Sequence, residues 1–459
     1  MSFIIYDTET SGINTTFDQI FQFAAILADD NLQEIDSFSL RCRRLPHIVP
    51  SPGALVVTGV RPKDIEEAPL SHYEMMSEVC KRFEEWSRSG AVFLGYNSIR
   101  FDEVLLRQAY YQNLLPLYQT NTRGNVRADV MRMVQACAVY CPNAIAIPLG
   151  DKGQAVFKLG EVARVNGIDL LNAHEALADT RATMEVARLV RDKAPAVWKY
   201  MMQNATKRGV DTSLKPNVLC FSDVFFGKAS SSIVTEAARN PNDAADIALF
   251  DLSYEPEPYL NLSEQELTPW VTGKVKIVRR IRSSNQPMLF PLDAAPDTFL
   301  DNRLDLSVYE ARANLIRNHA AFRETLGQVL SHRYEDEPPS THIEEQIYDG
   351  FPTDTDLAHM RQFHGADWQS RVGISDKIQD KRFRQLAKRL IYFEKPDLLP
   401  QDMQERFHEG ITKRMQTDDE TVPWMTIPKA LKECGDFRKS GDAQPDLVDE
   451  IEGYLLALA

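Results

Sequence analysis

The sequence predicts an α/β domain built on a mixed sheet, then a β-rich domain with helical additions, then a helical C-terminal domain. Three observations predict this. Up to about residue 192, strand-like apolar runs come first and then alternate with helix-like spacing. Pro195 punctuates a change to short strands separated by turn residues. The acidic, Pro-containing stretch from Tyr334 to Gly350 precedes a tail of amphipathic helical patterns. The expected domains are residues 1–192, 196–345 and 348–459.

In the first domain, FIIYD (Phe3 to Asp7), FQFAAILA (Phe21 to Ala28) and IDSFSL around Ile35 read as strands. His72 to Trp86 has helical spacing, Val92 to Asn97 is a short strand, and Asp102 to Asn113 returns to helix. Asp129 to Tyr140 is a further helix. Asn172 is placed to cap one running to about Arg191, with Ala176, Ala178 and Ala182 available for close packing.

In the second domain, VLCF, IALFDL, KVKIVRRI (Lys274 to Ile281) and MLFPL read as strands, and LDLSVYEARANLIRNH as helix. Seven acids and no Lys or Arg lie between Asp243 and Glu266, which predicts a solvated loop or outer face. Beyond the linker, MRQFHGADWQ, DKRFRQLAKRLIYF, DMQERFHEGITKRM and DLVDEIEGYLLALA each carry an apolar stripe.

Composition excludes several classes. The 459 residues are 43% hydrophobic and 26% charged, unlike fibrous or wholly disordered chains. No segment approaches ~18 uninterrupted apolar residues, so no membrane span is expected. MSFIIYDTE has no basic lead before its apolar run, unlike a secretory signal. Six scattered cysteines make a poor disulfide scaffold and point to a reducing compartment, here the cytoplasm. Cys137 and Cys141, with no second cluster, are a poor zinc site. The net charge of −14 argues only weakly against nucleic acid, because binding follows the local field.

The chemistry concentrates in carboxylates. Asp7 and Glu9 are two residues apart at the end of the first strand, so both face one side while Thr8 points away. Such a pair suits a hard cation such as Mg²⁺, which takes oxygen ligands. LGYNSIRFD runs from strand into helix and sets Asp102 at a helix N-terminus, with Asn97 placed to buttress the turn. His174 and Asp179 share a predicted helix, about 140° apart around its axis, so they flank a site. His174, with an unperturbed pKa of ~6.5, is suited to accept a proton from water. Two Mg²⁺ ions ~3.5–4 Å apart on such a set activate a water and stabilise the departing oxygen of a phosphodiester. No P-loop motif is present, so nucleotide triphosphate hydrolysis has no support.

With DTE, YNSIRFD and HEALAD in this order, the chain resembles the DnaQ-like, or DEDDh, 3′–5′ exonuclease superfamily. PGALVVTGVRP, LGYNSIRFD, NAHEALADTRAT and QIYDGFPTDTD narrow the resemblance to the bacterial exodeoxyribonuclease I family. That resemblance implies a ribonuclease H-like nuclease domain, an SH3-like domain and a C-terminal helical domain around a passage for single-stranded DNA. It implies metal binding by Asp7, Glu9 and Asp179, a second metal site completed by Asp102, and His174 as general base. Thr8 and Asn97 are supporting residues. Mg²⁺ is the expected cofactor, as two ions, with Mn²⁺ as a substitute. Arg107, Arg132 and Lys158 are expected to meet phosphates and Tyr118 to stack on a base.

The implied activity is 3′-to-5′ hydrolysis of single-stranded DNA to 5′-mononucleotides, serving DNA repair and recombination by a monomer. The implied partner is the acidic, apolar-ended tail of single-stranded DNA-binding protein, with Lys199, Lys207, Arg208 and Lys215 as candidates for a basic rim. A 3′–5′ exoribonuclease and a non-catalytic single-strand-binding protein are the alternatives. The cluster Lys274, Lys276, Arg279, Arg280 and Arg282 reads equally as a DNA contact or as a basic face balancing nearby acids.

Overall fold

The computed structural model describes residues 2–168, 176–295, 304–332 and 340–458. The first sheet contains β1 (Ser2–Thr10), β2 (Ile20–Ala28), β3 (Glu34–Arg41), β4 (Ala91–Gly95) and β5 (Val126–Asp129), in the order β3-β2-β1-β4-β5. β1, β2 and β3 pair antiparallel, while β4 pairs parallel with β1 and β5 parallel with β4. β1 is therefore central, and its apolar residues serve two cores. Ile4 and Tyr6 pack with Met75, Val79 and Phe83 of the His72–Trp86 helix and with Leu105 and Leu106 of the Asp102–Gln112 helix. Phe3 and Ile5 pack on the opposite face with Val130, Met133 and Val134 of the Val130–Tyr140 helix and with Val186 and Val190 of the Ala176–Lys193 helix. Alternation along one strand thus assigns Asp7 and Glu9 to the face of the Ala176–Lys193 helix, and Thr8 to the face of the Asp102–Gln112 helix.

The second sheet contains β6 (Leu219–Phe225), β7 (Lys228–Arg239), β8 (Asp246–Asp251), β9 (Val278–Arg282) and β10 (Met288–Pro291), in the order β10-β6-β7-β8-β9. Every pairing in it is antiparallel. One face packs under the helices Glu264–Thr272, Leu306–Asn318 and Ala320–Ser331. Cys220, Met288 and Phe290 extend the first domain's core, joining this sheet to the first. The C-terminal helices close against the first domain twice. Tyr73, Tyr111 and Leu114 meet Phe363, Phe383 and Leu386, while Phe21, Val49 and Leu55 meet Ile427, Val448 and Ile451.

Several local expectations need correction. The acidic run between Asp243 and Glu266 is not simply a solvated face, because Asp246 and Asp251 are buried. They pair with the basic cluster: Arg280 with Asp246, Arg279 with Asp251 at 3.6 Å, and Arg282 with Asp243 at 2.6 Å. β9 starts at Val278, later than Lys274. MRQFHGADWQ is divided between the helices Asp354–Gly365 and Trp368–Ser375, because the Asp367 carboxylate accepts from Ser370 N–H and caps a new helix. Asn172 lies outside the described residues.

Candidate metal centre

The centre forms where β1 ends. Asp7 and Glu9 project toward the Ala176–Lys193 helix, which brings Asp179, and one carboxylate oxygen from each of the three lies within 4.8 Å of the others. Ala176, Ala182 and Ala187 are buried on that helix, so it approaches the sheet closely. Opposite Asp7 across the antiparallel pair stands Ala24, a methyl group that takes little of the available space. The register shifts between Glu9 and Thr10, so the strand is bulged immediately beyond the second carboxylate.

Asp102 enters from the other face. Thr8, turned away from Asp7 and Glu9, donates through Oγ1 to Asp102 Oδ1 at 2.6 Å. The turn that presents Asp102 is tightly built. A Cβ on Gly95 would lie 2.4 Å from the Ser98 side chain, so glycine is required where β4 ends. Asn97 has φ 61°, a left-handed conformation that asparagine tolerates. Its N–H donates to Asp129 Oδ1 at 3.0 Å, and Ile99 N–H donates to Asp129 Oδ2 at 3.3 Å. The buttress is therefore Asp129 acting on the Asn97 backbone. Sequence reading assigned Asp129 only to the start of a helix, which it also caps through Met131 N–H at 3.0 Å.

Behind Asp102 stands Glu103, 1% exposed as a residue, which sequence reading missed because a first-turn acid beside another carries no distinguishing signal. Its carboxylate accepts from Tyr6, from Thr120 and from Arg107, and pairs with Arg127 at 3.2 Å. This network fixes the first turn of the helix that holds Asp102.

The site accumulates negative charge in a partly dehydrated place. Burial, followed by the charges of Asp102, Glu9 and Asp179, pushes the Asp7 carboxyl well above the usual range. Burial, then Asp179 and Asp102, raises Glu9 to about 8, against a smaller opposing effect from Arg41. Burial raises Asp102 to about 6, partly offset by the Thr8 hydrogen bond. Such a set is unfavourable as bare anions. Its clustered oxygen donors fit a hard divalent cation, whose charge relieves the repulsion.

The remaining expected residues are placed as follows. His174 lies outside the described residues. Arg107 is largely buried, bonded to Glu103 at 3.0 Å, with its guanidinium 5.1 Å from the Tyr118 ring centroid. Arg132 pairs with Asp223 of β6 at 2.7 Å, which ties the Val130–Tyr140 helix to the second sheet. Lys158 is exposed and immediately precedes the Leu159–Val165 helix.

Residues 4–187 match the exonuclease family, and residues 341–458 match the exonuclease I C-terminal domain family. The chain is 28% identical over 407 residues to exodeoxyribonuclease I of Haemophilus influenzae, with 84% of each chain covered. Its fold is similar to that of Escherichia coli exonuclease I solved with a dA16 oligonucleotide: TM-score 0.88, 22% identity, 100% of both chains covered. It is also similar to a structure of SSB/exonuclease I with the inhibitor CFAM, at TM-score 0.84 and 21% identity, covering 100% of this chain and 99% of that one. The first segment thus matches the exonuclease family and the last the exonuclease I C-terminal domain family, and the chain that carries both is similar to exodeoxyribonuclease I along most of its length.

Proposed function

We propose that the chain is a divalent-metal-dependent 3′–5′ exonuclease that removes 5′-mononucleotides from single-stranded DNA in the cytoplasm. The observation that carries this reading is the convergence of Asp7, Glu9 and Asp179 within 4.8 Å, on the segment that matches the exonuclease family. Asp7, Glu9 and Asp179 would hold Mg²⁺, and Asp102 would complete a second position. When bound, the ions supply Lewis-acid polarisation of the scissile phosphate and stabilisation of the departing oxygen.

The chain's own residues do the rest. Thr8 and Asp129 orient Asp102 and its turn. His174 is the general base that takes a proton from the attacking water, and its neutral imidazole prevails above its unperturbed pKa of ~6.5. Lys158, exposed just before the Leu159–Val165 helix, is a cation available to a phosphate. Arg107 and Arg132 are committed to Glu103 and Asp223, so their contribution is chiefly to build the surface. The acidic tail of a single-stranded DNA-binding protein is the proposed partner, supported by the likeness to the SSB/exonuclease I structure.

The test compares 3′-labelled and 5′-labelled single strands, duplex DNA and RNA, with and without Mg²⁺. Metal-dependent release of label from the 3′ end of single-stranded DNA is expected. Equal or faster degradation of RNA would reassign the substrate, and no metal-dependent release would overturn the nuclease reading.

A further inference from the structure

The turn between β9 and β10 sends Gln286 away from the second sheet and toward the first. Gln286 has φ 47° and is 1% exposed. That left-handed backbone is unfavourable for a residue other than glycine. A buried amide also costs free energy unless both its ends are paired. Both are paired, and neither partner is in the second sheet. Oε1 accepts from Asp129 N–H at 2.7 Å, and Nε2 donates to the Met201 carbonyl of the Pro195–Gln203 helix at 3.1 Å. One partner is a donor and the other an acceptor, so a single orientation of the amide satisfies both. The chain is held firmly just beyond. Met288 lies in the first domain's core, and Phe290 stacks on Tyr140 with ring centroids 3.8 Å apart.

The residue that Gln286 holds also holds the turn that presents Asp102. Asp129 ends β5, paired with Gly95 at the end of β4. Its two carboxylate oxygens accept from Asn97 N–H and Ile99 N–H. Between these two, the Ser98 carbonyl accepts from Glu103 N–H at 2.9 Å, in the first turn of the Asp102–Gln112 helix. The Asp129 N–H is the group that Gln286 takes. A shift of the strand end at that amide therefore carries the carboxylate, and the turn, with it. Gln286, Asp129, Ser98 and Asp102 are all buried, so this route runs through packed interior.

We infer that Gln286 is a positioning residue for the metal centre: through Asp129 it fixes the turn that carries Asp102, so the second sheet helps to set the nuclease's geometry. This rests on the proposed function and adds to it a residue from outside the segment that matches the exonuclease family. Both ends of the Gln286 amide are taken up by backbone groups, so it acts on the reaction through Asp129. Its left-handed backbone fits a residue kept for what its side chain holds. Loss of a residue that orients metal ligands commonly lowers metal affinity or rate by roughly 10- to 100-fold.

Hydrogen–deuterium exchange of the full chain in EDTA reads the turn without metal or hydrolysis. Gln286→Met keeps the side chain's length and removes both amide bonds. Gln286→Asn, which suits the left-handed backbone and is too short to span both partners, is the second variant. In each, the amides of residues 97–103 are expected to exchange roughly 2- to 10-fold faster. Tyr140→Phe loses a bond to Ser222 at 2.8 Å between the same parts of the molecule, away from Asp129, and is expected to leave those amides unchanged. With Mg²⁺, single-turnover hydrolysis is expected to fall roughly 10-fold or more in Gln286→Met, at unchanged single-strand affinity in EDTA. The double variant with Asp129→Asn should fall no further than Asp129→Asn alone. Unaltered exchange in either Gln286 variant, equal acceleration in Tyr140→Phe, or faster exchange with an unaltered rate overturns the role. Absence of hydrolysis by the unaltered chain, with exchange as expected, defeats the nuclease reading and retains the link from Gln286 to the turn. Hydrolysis with unaltered exchange defeats only the link.

Discussion

Thr8 Oγ1 donates to Asp102 Oδ1 at 2.6 Å, linking the central strand's uncommitted face to the carboxylate that comes from the neighbouring helix. The bond favours the ionised form of Asp102, whose pKa burial already lifts to about 6. Thr8→Val keeps the shape and removes the donor. The acidic limb of the activity–pH profile is expected to move upward, because Asp102 then holds its proton to a higher pH. A hydrogen bond to a charged group contributes about 1.5–3 kcal/mol, about 1–2 pK units, so the loss at pH 7 should be roughly 2- to 15-fold. An unmoved acidic limb would mean that Asp102 ionisation does not limit the rate.

The carboxylate cluster makes the metal-free protein sensitive to pH. Glu9 has a folded pKa of about 8 against an ordinary value of 4.5, so the folded state holds a proton that the unfolded chain has released between those values. Stability of the metal-free protein must therefore fall as pH rises through that window. Glu9→Gln removes this ionisation and is expected to raise the metal-free melting temperature at pH 8 while abolishing hydrolysis. A gain of ~1 kcal/mol corresponds to about 2–4 °C for a domain of 150–250 residues. Added Mg²⁺ should stabilise the unaltered chain strongly and the variant weakly. Calorimetry at pH 5 and pH 8, with and without Mg²⁺, checks both statements.

His174→Ala is expected to lower kcat by ~10²–10⁴-fold, the usual contribution of a positioned general base, while divalent-ion binding to the carboxylates persists. Single-turnover hydrolysis beside a metal titration separates the two. Near-normal turnover across pH 6–9 would remove the proton-transfer role.

The centre was legible in the sequence because strand alternation is geometric. Once Phe3 to Asp7 is read as a strand, Asp7 and Glu9 must share a face, and the structure adds Asp179 to that face. Elements with weak patterns were less legible. β5 is only four residues, Val126–Asp129, too short for a period to show. β7 begins KASSS, where small polar residues carry little strand propensity, and its pairing comes from β6 and β8 on either side. The Ile427–Ser440 helix contains Pro428 and Gly435, and its Thr426 cap and buried Ala430 and Cys434 become informative only against the Pro52–Thr58 helix.

The basic cluster of β9 shows how pairing settles an ambiguity that composition leaves open. Arg280 forms a two-point ion pair with the buried Asp246 carboxylate, which Asn240 also contacts. Arg280→Met should destabilise the fold by about 3–5 kcal/mol, because a buried charge loses its partner. The slope of single-strand affinity against salt should remain as before, since a residue contacting a phosphate changes log–log slope by ~0.7. A reduced slope at unchanged stability would instead place Arg280 in the DNA path.

Glu344 joins Arg389 and Arg414 of the C-terminal helices to the helix bearing Asp102. Burial opposes its charge, but the two guanidinium groups outweigh burial and lower its pKa to about 2, against an ordinary 4.5. Its contribution is therefore complete above the unfolded value and lost as pH falls from about 4.5 through 2. Glu344→Ala leaves two buried cations without their carboxylate, a change expected to cost about 3–5 kcal/mol at pH 7. Urea unfolding of both proteins from pH 7 to pH 3 should show the difference shrinking below about pH 4.5, as the unfolded chain takes up a proton that the folded Glu344, with its pKa about 2, does not. A stability difference constant over that pH range would assign the effect to packing around residue 344 and not to its ion pairs.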